Sequence, residues 1–305
     1  MTADAREPAP SRILFVGDVV GEAGVAYLEG RLPGLRAELG ADFVIVNGEN
    51  VALPGLNPAY GCGISERDVE RLLALGVDVI TGGNHSWDGP GAIAALRHPR
   101  VLRPLNTSPL APGRGAVIVG EDGPRLGVVN LGSRTAIPAV DHPYDAFQRQ
   151  LAAWAQDGAD AGGAAPGGGA PGRGALGPGA PGGPELVVVD FHGESVSEKQ
   201  IFAWAVDGSA TAVIGTHTHA PTLDTRVLPG GTAYVSDVGM VGPSGGMQGY
   251  EPDVFVASMR SRLPAQGRGG WASGPVEFGA VLITAEAGRA VAIERLPLEG
   301  EGGSA

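Results

Sequence analysis

The sequence predicts a single α/β domain of the sandwich type, with two central mixed sheets flanked by helices. Short apolar runs alternate with helical stretches from residue 11 to about residue 120, a pattern typical of βαβ units and a largely parallel sheet. A second, strand-rich block follows, and polar side chains stand at the end of most predicted strands. Two such halves around one site favour a sandwich. A TIM barrel is the weaker alternative, because the alternation decays after residue 116.

The first half contains three predicted strands, at 12–17, 43–46 and 77–80, and three predicted helices, at 27–39, 65–75 and 91–97. Pro33 is expected to interrupt the first helix, because proline lacks the backbone donor and its ring clashes with the preceding turn. Ser65 and Asp68 have the spacing of a capping box, which marks the start of the second helix.

The second half is richer in strands than in helices. Its predicted strands lie at 116–119, 126–131, 186–189, 212–214 and 232–236, its helices at 144–154 and 198–206, and a closing hairpin at 280–284 and 291–295. The first two of these strands are joined by a predicted turn at 121–123. No long internal repeat accompanies the two halves.

The chain is predicted to form one domain at 12–297 between flexible tails at 1–11 and 298–305. Residues 157–184 are dominated by glycine, alanine and proline. Such a segment cannot bury enough apolar surface to offset its conformational entropy, so a disordered surface insertion is expected there. A strand at 186–189 resumes directly afterwards, which argues against a domain boundary.

Composition restricts the class of protein. The formal net charge is −12, which disfavours extended binding to a nucleic-acid backbone but permits a small anionic substrate when bound metal ions dominate the local field. No apolar run reaches the length of about 18 residues expected of a membrane span, and no signal peptide is recognised. The single cysteine, Cys62, cannot form an intrachain disulfide. A cytoplasmic location is therefore predicted.

Side chains that can bind metal follow the predicted strands. The candidates are Asp18, Glu49, Asn50, Asn84, His85, His192, His217 and His219. Taken singly, each has a plain structural explanation as a turn former, a helix cap or a core histidine. His217 and His219 are harder to explain in this way, because residues two apart on extended backbone face the same side. Since ligands collect at the carboxyl ends of parallel strands, the whole set predicts one metal site.

The residue types indicate the chemistry of that site. Mixed oxygen and imidazole donors suit iron, manganese or zinc, and the absence of a cysteine set argues against structural zinc. A bridging carboxylate can hold two ions about 3.5–4 Å apart, the separation that serves phosphoryl transfer. A histidine beside a metal-bound asparagine can protonate the leaving oxygen.

In their order along the chain, these residues resemble the calcineurin-like metallophosphoesterases. The matching motifs are Gly17-Asp18, Gly48-Glu49-Asn50, Gly83-Asn84-His85, His192 and His217-Thr218-His219. The usual Asp-x-His is here Asp18-Val19-Val20, and the usual bridging Asp is Glu49. Both departures resemble one branch, the YmdB-like family, which is similar to 2′,3′-cyclic-nucleotide phosphodiesterases. The runs Asp190-Phe191-His192, Ser197-Glu198-Lys199 and Ser236-Asp237-Val238-Gly239-Met240 resemble the same branch.

The resemblance implies a dinuclear phosphodiesterase with a metallophosphoesterase-type fold. One metal would be held by Asp18, Asn50 and His219, the other by Asn84, His192 and His217, with Glu49 bridging and His85 as the proton donor. The ions would be iron, with manganese, zinc or magnesium as substitutes. The implied reaction is hydrolysis of a small phosphodiester such as 2′,3′-cyclic AMP by a metal-activated hydroxide. The family resemblance also implies a homo-oligomer.

Three rival functions remain at this point. A phosphomonoesterase would keep the fold and change the substrate. A regulatory module would keep the metal site and work through protein contacts with little turnover. A dinucleotide-binding protein is disfavoured, because Gly17, Gly21 and Gly24 do not have the G-x-G-x-x-G spacing and Asp18 would repel a pyrophosphate.

Overall fold

The computed structural model describes residues 9–52, 63–89, 91–121, 123–137, 140–162, 177–179, 182–264 and 270–297. The strands are β1 (Ser11–Val16), β2 (Asp18–Val19), β3 (Phe43–Asn47), β4 (Val79–Thr81), β5 (Ala116–Val119), β6 (Leu126–Gly132), β7 (Leu186–His192), β8 (Ala212–Thr216), β9 (Arg226–Val227), β10 (Ala233–Val235), β11 (Met240–Pro243), β12 (Val276–Phe278), β13 (Ala280–Glu286) and β14 (Arg289–Arg295). The helices are α1 (Gly21–Leu39), α2 (Glu66–Ala74), α3 (Ala92–Ala95), α4 (Pro143–Gly162), α5 (Val196–Ala205) and α6 (Asp253–Ser261).

These strands form two large mixed sheets and one small one. The order is β14-β13-β1-β3-β4 in the five-stranded sheet and β5-β6-β7-β8-β10-β9 in the six-stranded sheet. In the six-stranded sheet the three inner pairs are parallel and the two edge pairs are antiparallel. In the five-stranded sheet the pairs β1-β3 and β3-β4 are parallel, and the pairs β14-β13 and β13-β1 on the other side are antiparallel. The predicted pair of mixed sheets is confirmed. The three-stranded sheet, β12-β11-β2, was not expected from the sequence.

The hydrophobic core lies between the two large sheets. Phe15 and Ile45 from the five-stranded sheet belong to the same buried cluster as Val188 and Ile214 from the six-stranded sheet. The alternate residues of β1, such as Leu14, point the other way and pack in the cluster that includes α1 and α2. Because side chains alternate along a strand, β1, β3 and β4 each contribute to two apolar layers. The arrangement places all the parallel strands with their carboxyl ends at one edge.

Helix α1 differs from the prediction at two points. It begins at Gly21, earlier than expected, and it continues through Pro33, which was predicted to interrupt it. A proline inside a helix costs about 3 kcal/mol, whereas burying one leucine side chain contributes about 1.5–3 kcal/mol. Leu28, Leu32 and Leu35 are all buried along this helix, so packing outweighs the lost hydrogen bond.

The capping box at the start of α2 is confirmed. Ser65 Oγ accepts a hydrogen bond from the backbone N–H of Asp68 at 3.4 Å, and Asp68 Oδ2 accepts one from the backbone N–H of Ser65 at 3.2 Å. These two bonds satisfy helix N–H groups that otherwise lack a partner. The helix therefore starts where the sequence predicts.

The ends of the predicted insertion are ordered parts of the fold. Helix α4 runs to Gly162, well past its predicted end at 154. At the other end Arg125 Nη2 donates to the carbonyl of Gly182 at 2.8 Å, and Gly179 N donates to the carbonyl of Pro184 at 2.9 Å. Helix α4 and these hydrogen bonds therefore extend into both ends of the insertion expected at about 157–184, which stays a prediction. Residues 163–176, 180 and 181, on which the prediction of disorder rests, lie outside the described residues.

Several other expectations fall outside the described part of the chain. These are Cys62 and most of the two predicted tails, 1–8 and 298–305. Within the described ranges, helix α3 is shorter than its predicted span of 91–97. Among the residues that the structure describes, no helix has both the length and the apolar character needed to cross a membrane.

Candidate metal centre

The predicted donor residues converge at the carboxyl ends of the parallel strands. Asp18 lies on β2, Glu49 and Asn50 follow β3, and Asn84 follows β4; His192 ends β7, and His217 and His219 follow β8. The two large sheets therefore contribute to a single cluster, as expected at this edge of parallel strands. The residues are nearly all buried, with Asp18, Glu49 and His192 each at most 1% exposed.

One group of donor atoms surrounds His192. Its Nε2 lies 3.0 Å from Glu49 Oε1, 3.0 Å from Asn84 Oδ1 and 3.0 Å from Nδ1 of His217. One ligand atom from each of Glu49, His192 and His217 lies within 4.8 Å of the other two, the spacing of a set that could hold a metal ion. An ion bound among these atoms would have mixed oxygen and imidazole ligands.

A second group lies around His219. Its Nε2 is 3.1 Å from Asn50 Nδ2 and 3.9 Å from Asp18 Oδ1. Asp18 Oδ1 is also 3.9 Å from Nδ1 of His192, so this carboxylate lies between the two groups. The same oxygen is buried and has no hydrogen-bond partner among the described residues. Because an unpaired buried carboxylate oxygen is costly, the position suits a cation.

The outer contacts of the histidines determine which ring nitrogen faces the cluster. Nδ1 of His219 donates to the carbonyl of Gln248 at 2.9 Å, and Nε2 of His217 lies 3.2 Å from Glu194 Oε2. Thr216 Oγ1 lies 2.9 Å from Nδ1 of His192. In each case an acceptor outside the cluster binds one ring nitrogen, so the opposite nitrogen can offer its lone pair to a metal.

The electrostatics of the cluster favour a cation. Burial alone would raise the pKa of Glu49, but the facing His192, His85 and His217 outweigh it and hold this pKa at about 2. Burial and the neighbouring His192 lower the pKa of His217 to about 4, so its imidazole is neutral at pH 7. Burial opposes the charged form of His192, yet Glu49 and Asp18 raise its pKa. A metal ion would therefore compete with a proton for Nε2 of His192.

The backbone after β8 is not extended, contrary to the prediction. His217 has φ 101° and His219 has φ 63°, both in the left-handed region that side chains rarely adopt. The two imidazoles reach the cluster because the chain turns at each histidine, and not because they share one face of a strand. Strain of this kind persists where surrounding contacts enforce it.

A buried ion pair enforces this conformation. Lys199 Nζ donates to the carbonyl of Thr216 at 2.8 Å and lies 3.1 Å from Asp237 Oδ2. The same carboxylate oxygen accepts the backbone N–H of Thr218 at 3.0 Å. Lys199 and Asp237 are each 1% exposed. The pair thus holds the backbone on both sides of His217.

His85 lies at the edge of the cluster. Its backbone N–H donates to Glu49 Oε2 at 3.4 Å, and its Nδ1 lies 2.7 Å from Asp88 Oδ2. The imidazole is 35% exposed, in contrast to the buried His192. A half-buried histidine beside a carboxylate can carry and release a proton.

Gly83 allows the two sheets to approach each other at the cluster. A Cβ at this position would lie 1.9 Å from Glu49 Oε2 and 2.3 Å from Nε2 of His192. No side chain can be accommodated at such distances. The glycine before Asn84 is therefore required by the close approach of the metal-binding groups themselves.

Sequence reasoning left several supporting residues without a role. They are Asp88, Asp190, Glu194, Lys199, Thr216, Asp237 and Gln248. Asp190 could have been noticed, because an acidic residue inside the apolar run of β7 is buried only when it has partners. Lys199 gives a similar signal, since a lysine is seldom on the buried face of a helix. Glu194 and Gln248 lie in loops and give no such signal.

The similarity to known proteins extends over both large sheets. The model of the YmdB-like protein family matches residues 14–161 and 180–296. A relative from Bacillus subtilis (strain 168), named 2′,3′-cyclic-nucleotide 2′-phosphodiesterase, is 35% identical over 288 residues, which is 93% of this chain and 96% of that protein.

Solved structures agree with the sequence comparison. A hypothetical protein from Thermus thermophilus superposes with a TM-score of 0.76 at 35% identity, covering 93% of this chain and 98% of that one. A structure described as a novel phosphatase from Mycoplasma pneumoniae has a TM-score of 0.77 at 26% identity, covering 94% of this chain and 92% of that one. The two-sheet arrangement is thus shared by chains that match nearly end to end.

Proposed function

The chain belongs to the YmdB-like protein family, and from this premise we propose that it is a metal-dependent phosphodiesterase that opens 2′,3′-cyclic nucleotides. The convergence of seven candidate metal ligands, contributed by all three sheets and the loops that follow their strands, on one cluster supports the proposal. The name of the Bacillus subtilis relative supports the phosphodiester class and the cyclic nucleotide. The acidic net charge of −12 supports a small substrate over a long nucleic acid.

The two groups of donor atoms support a centre for two ions. We assign Asp18, Asn50 and His219 to one ion, and Asn84, His192 and His217 to the other, with Glu49 bridging. Iron fits this mixture of oxygen and imidazole donors, and manganese, zinc or magnesium are the proposed substitutes. When bound, two such ions stabilise charge on the phosphoryl oxygens and lower the pKa of water.

His85 is the proposed general acid. Hydrolysis of the cyclic ester forms a bond between a water oxygen and phosphorus and breaks the bond between phosphorus and a ribose oxygen. The water gives up a proton, and the ribose oxygen must gain one. Asp88 accepts a hydrogen bond from Nδ1 of the protonated His85 at 2.7 Å and so stabilises the imidazolium. The opposite nitrogen, Nε2, would deliver the proton.

The buried carboxylates organise the site. Asp18 Oδ2 accepts the backbone N–H of His217 at 3.2 Å, which leaves Oδ1 directed to the cluster. Glu49 lies against both His192 and the N–H of His85. These contacts hold the two carboxylates in place beside the histidines.

Metal content and hydrolysis measured on one preparation test the proposal. Protein purified without chelator should contain about two metal ions per chain and hydrolyse 2′,3′-cyclic AMP. Chelation should stop the reaction, and Mn²⁺ or Fe²⁺ should restore it. Bound metal without hydrolysis of any phosphodiester would contradict the enzymatic part, and no metal after reconstitution would contradict the site itself. Faster hydrolysis of p-nitrophenyl phosphate than of the cyclic nucleotide would contradict the substrate class.

We also propose an oligomeric state and a cellular location for the protein. The resemblance supports a homo-oligomer, and the single cysteine of the sequence supports a reducing, cytoplasmic location. Light scattering on the purified protein checks the assembly: a monomer at micromolar concentration would contradict it.

A further inference from the structure

One buried carboxylate lies beneath the metal cluster and takes no part in the proposed chemistry. Asp190 is fully buried on β7 and accepts hydrogen bonds from three side chains. Its Oδ2 accepts from Asn47 Nδ2 at 2.9 Å and from Thr81 Oγ1 at 2.5 Å, and its Oδ1 accepts from Thr216 Oγ1 at 2.6 Å. The amide of Asn47 and the two threonine hydroxyl groups donate these bonds, and the carboxylate oxygens accept them.

These partners connect the two large sheets. Asn47 ends β3 and Thr81 ends β4 in the five-stranded sheet, whereas Asp190 and Thr216 lie on β7 and β8 of the six-stranded sheet. Asn47 Oδ1 in turn accepts the backbone N–H of Glu49 at 3.0 Å. Asp190 is therefore linked through Asn47 to Glu49, a proposed ligand on the opposite sheet.

On its own sheet Asp190 controls the ring of His192. The hydroxyl proton of Thr216 is used in the bond to Asp190, so Oγ1 meets the His192 ring only as an acceptor. Nδ1 of His192, at 2.9 Å from that oxygen, must then carry a proton. Nε2 is left as the nitrogen that can bind a metal.

We propose that Asp190 is a positioning residue that ties the two halves of the metal site together and, through Thr216, keeps Nε2 of His192 available as a ligand. The inference rests on the metal site of the proposed function. It adds a residue that acts through its neighbours and touches neither metal nor substrate.

Replacing one carboxylate oxygen of Asp190 with an NH₂ group reverses the direction of the hydrogen bond that leads through Thr216 to His192. In Asp190→Asn the amide oxygen faces the two donors Asn47 and Thr81, and the NH₂ group faces Thr216. Thr216 then donates its proton to Nδ1 of His192, which places the ring proton on Nε2, toward the cluster. The variant keeps the shape of the side chain, removes its negative charge and reverses the hydrogen bond with Thr216. Thr216→Val leaves that charge in place and removes the same link to His192.

The test measures Zn²⁺ affinity and the ring protonation of His192 in four variants. Competition with a chromogenic chelator gives the affinity. Two-bond ¹H–¹⁵N correlation spectra, recorded at a pH at which the imidazole is neutral, give the protonated nitrogen. Asp190→Asn and Thr216→Val should bind Zn²⁺ about 10–100-fold more weakly, and Asp190→Asn should lose the proton from Nδ1 of His192. Thr216→Ser, which keeps the hydroxyl, should match the wild type.

Asp207→Asn is the matched control. Asp207 also accepts hydrogen bonds, from the backbone N–H groups of Gly230 and Thr232, but it precedes β8 at the opposite end of the sheet. Its Zn²⁺ affinity should equal that of the wild type.

Each outcome decides the inference. Wild-type Zn²⁺ affinity together with a protonated Nδ1 in Asp190→Asn would overturn it while leaving the proposed function intact. Wild-type protein without Zn²⁺ binding would overturn the metal site itself. If circular dichroism shows that Asp190→Asn does not fold, the pair Thr216→Val and Thr216→Ser decides: equal affinities overturn the inference, and weakening in the valine variant alone supports it.

Discussion

The two sheets hold their parts of the metal site in different ways. On the five-stranded side, the backbone of Glu49 is held by residues at most 14 positions away: its N–H donates to Asn47 Oδ1, and its carbonyl accepts the N–H of Gly63. On the six-stranded side, His217 sits on left-handed backbone that distant side chains, Lys199 and Asp237, hold in place. The difference teaches that ligands of one site can depend on local or on long-range contacts.

The largest expected effect concerns His85, on the side with local contacts. His85→Ala should lower the rate of 2′,3′-cyclic AMP hydrolysis by about 10²–10⁴-fold, because a general acid is removed. Metal content should stay at the wild-type level, since the imidazole is directed to Asp88 and not into the donor set. Steady-state kinetics and elemental analysis check both parts. A wild-type rate would exclude His85 as the proton donor.

The next effect concerns stability and the side with long-range contacts. Lys199→Met leaves the buried carboxylate of Asp237 without its cation, and breaking a buried pair in this way costs about 3–5 kcal/mol. Urea unfolding should show this loss in the free energy of unfolding. Arg31→Met, which removes the exposed pair with Glu38, should cost at most about 1 kcal/mol. Equal losses in the two variants would contradict the stabilising role given to the buried pair of Lys199 and Asp237.

Gly83→Ala tests the contact between the two sides. The new methyl group would overlap Glu49 and His192, so these two groups should move apart, with a loss of about 10²-fold in hydrolysis. Gly34→Ala is the control, because a Cβ at Gly34 meets nothing within 4 Å on helix α1. It should retain full activity. Full activity in Gly83→Ala would mean that the site tolerates a wider separation than the structure has.

The smallest expected effect is the pH dependence of the unfolding free energy that Asp224 contributes on the six-stranded side. Burial opposes its charge, but hydrogen bonds from Ser236 and Thr222 prevail and lower its pKa. The stabilising contribution of such a group is complete above its unfolded pKa of about 3.9 and is lost as the pH falls through the folded pKa. The difference in unfolding free energy between wild type and Asp224→Asn should therefore be constant from pH 7 to about pH 5. It should shrink below about pH 4, and a difference that grows there would contradict this assignment.

The sequence predicts the donor set because each donor follows an apolar strand in a recognisable local motif. The two mixed sheets, the capping box at Ser65 and the closing hairpin are likewise predicted from local patterns, and the structure contains all of them. The role of Lys199 was beyond such reasoning, because its partners Thr216 and Asp237 meet it only after folding. The left-handed φ of His217 follows from those same contacts.

Errors in the fold prediction have the same origin. Pro33 was judged by its local effect, whereas the buried leucines on either side of it decide that α1 continues. The strand β11 was missed because its partners, β2 and β12, are far from it in sequence. Neither the continuation of α1 through Pro33 nor the strand β11 follows from the residues adjacent to it in sequence.

The position of β1 in the five-stranded sheet affects how the chain can fold during synthesis. β1 pairs with β3 on one edge and with β13 on the other, where Ser11 is opposite Ala285. While the ribosome is still making the intervening residues, the second edge of β1 has no native partner. An unpaired apolar strand edge is a template for aggregation. The five-stranded sheet can therefore be completed only after the residues of β13 have been made.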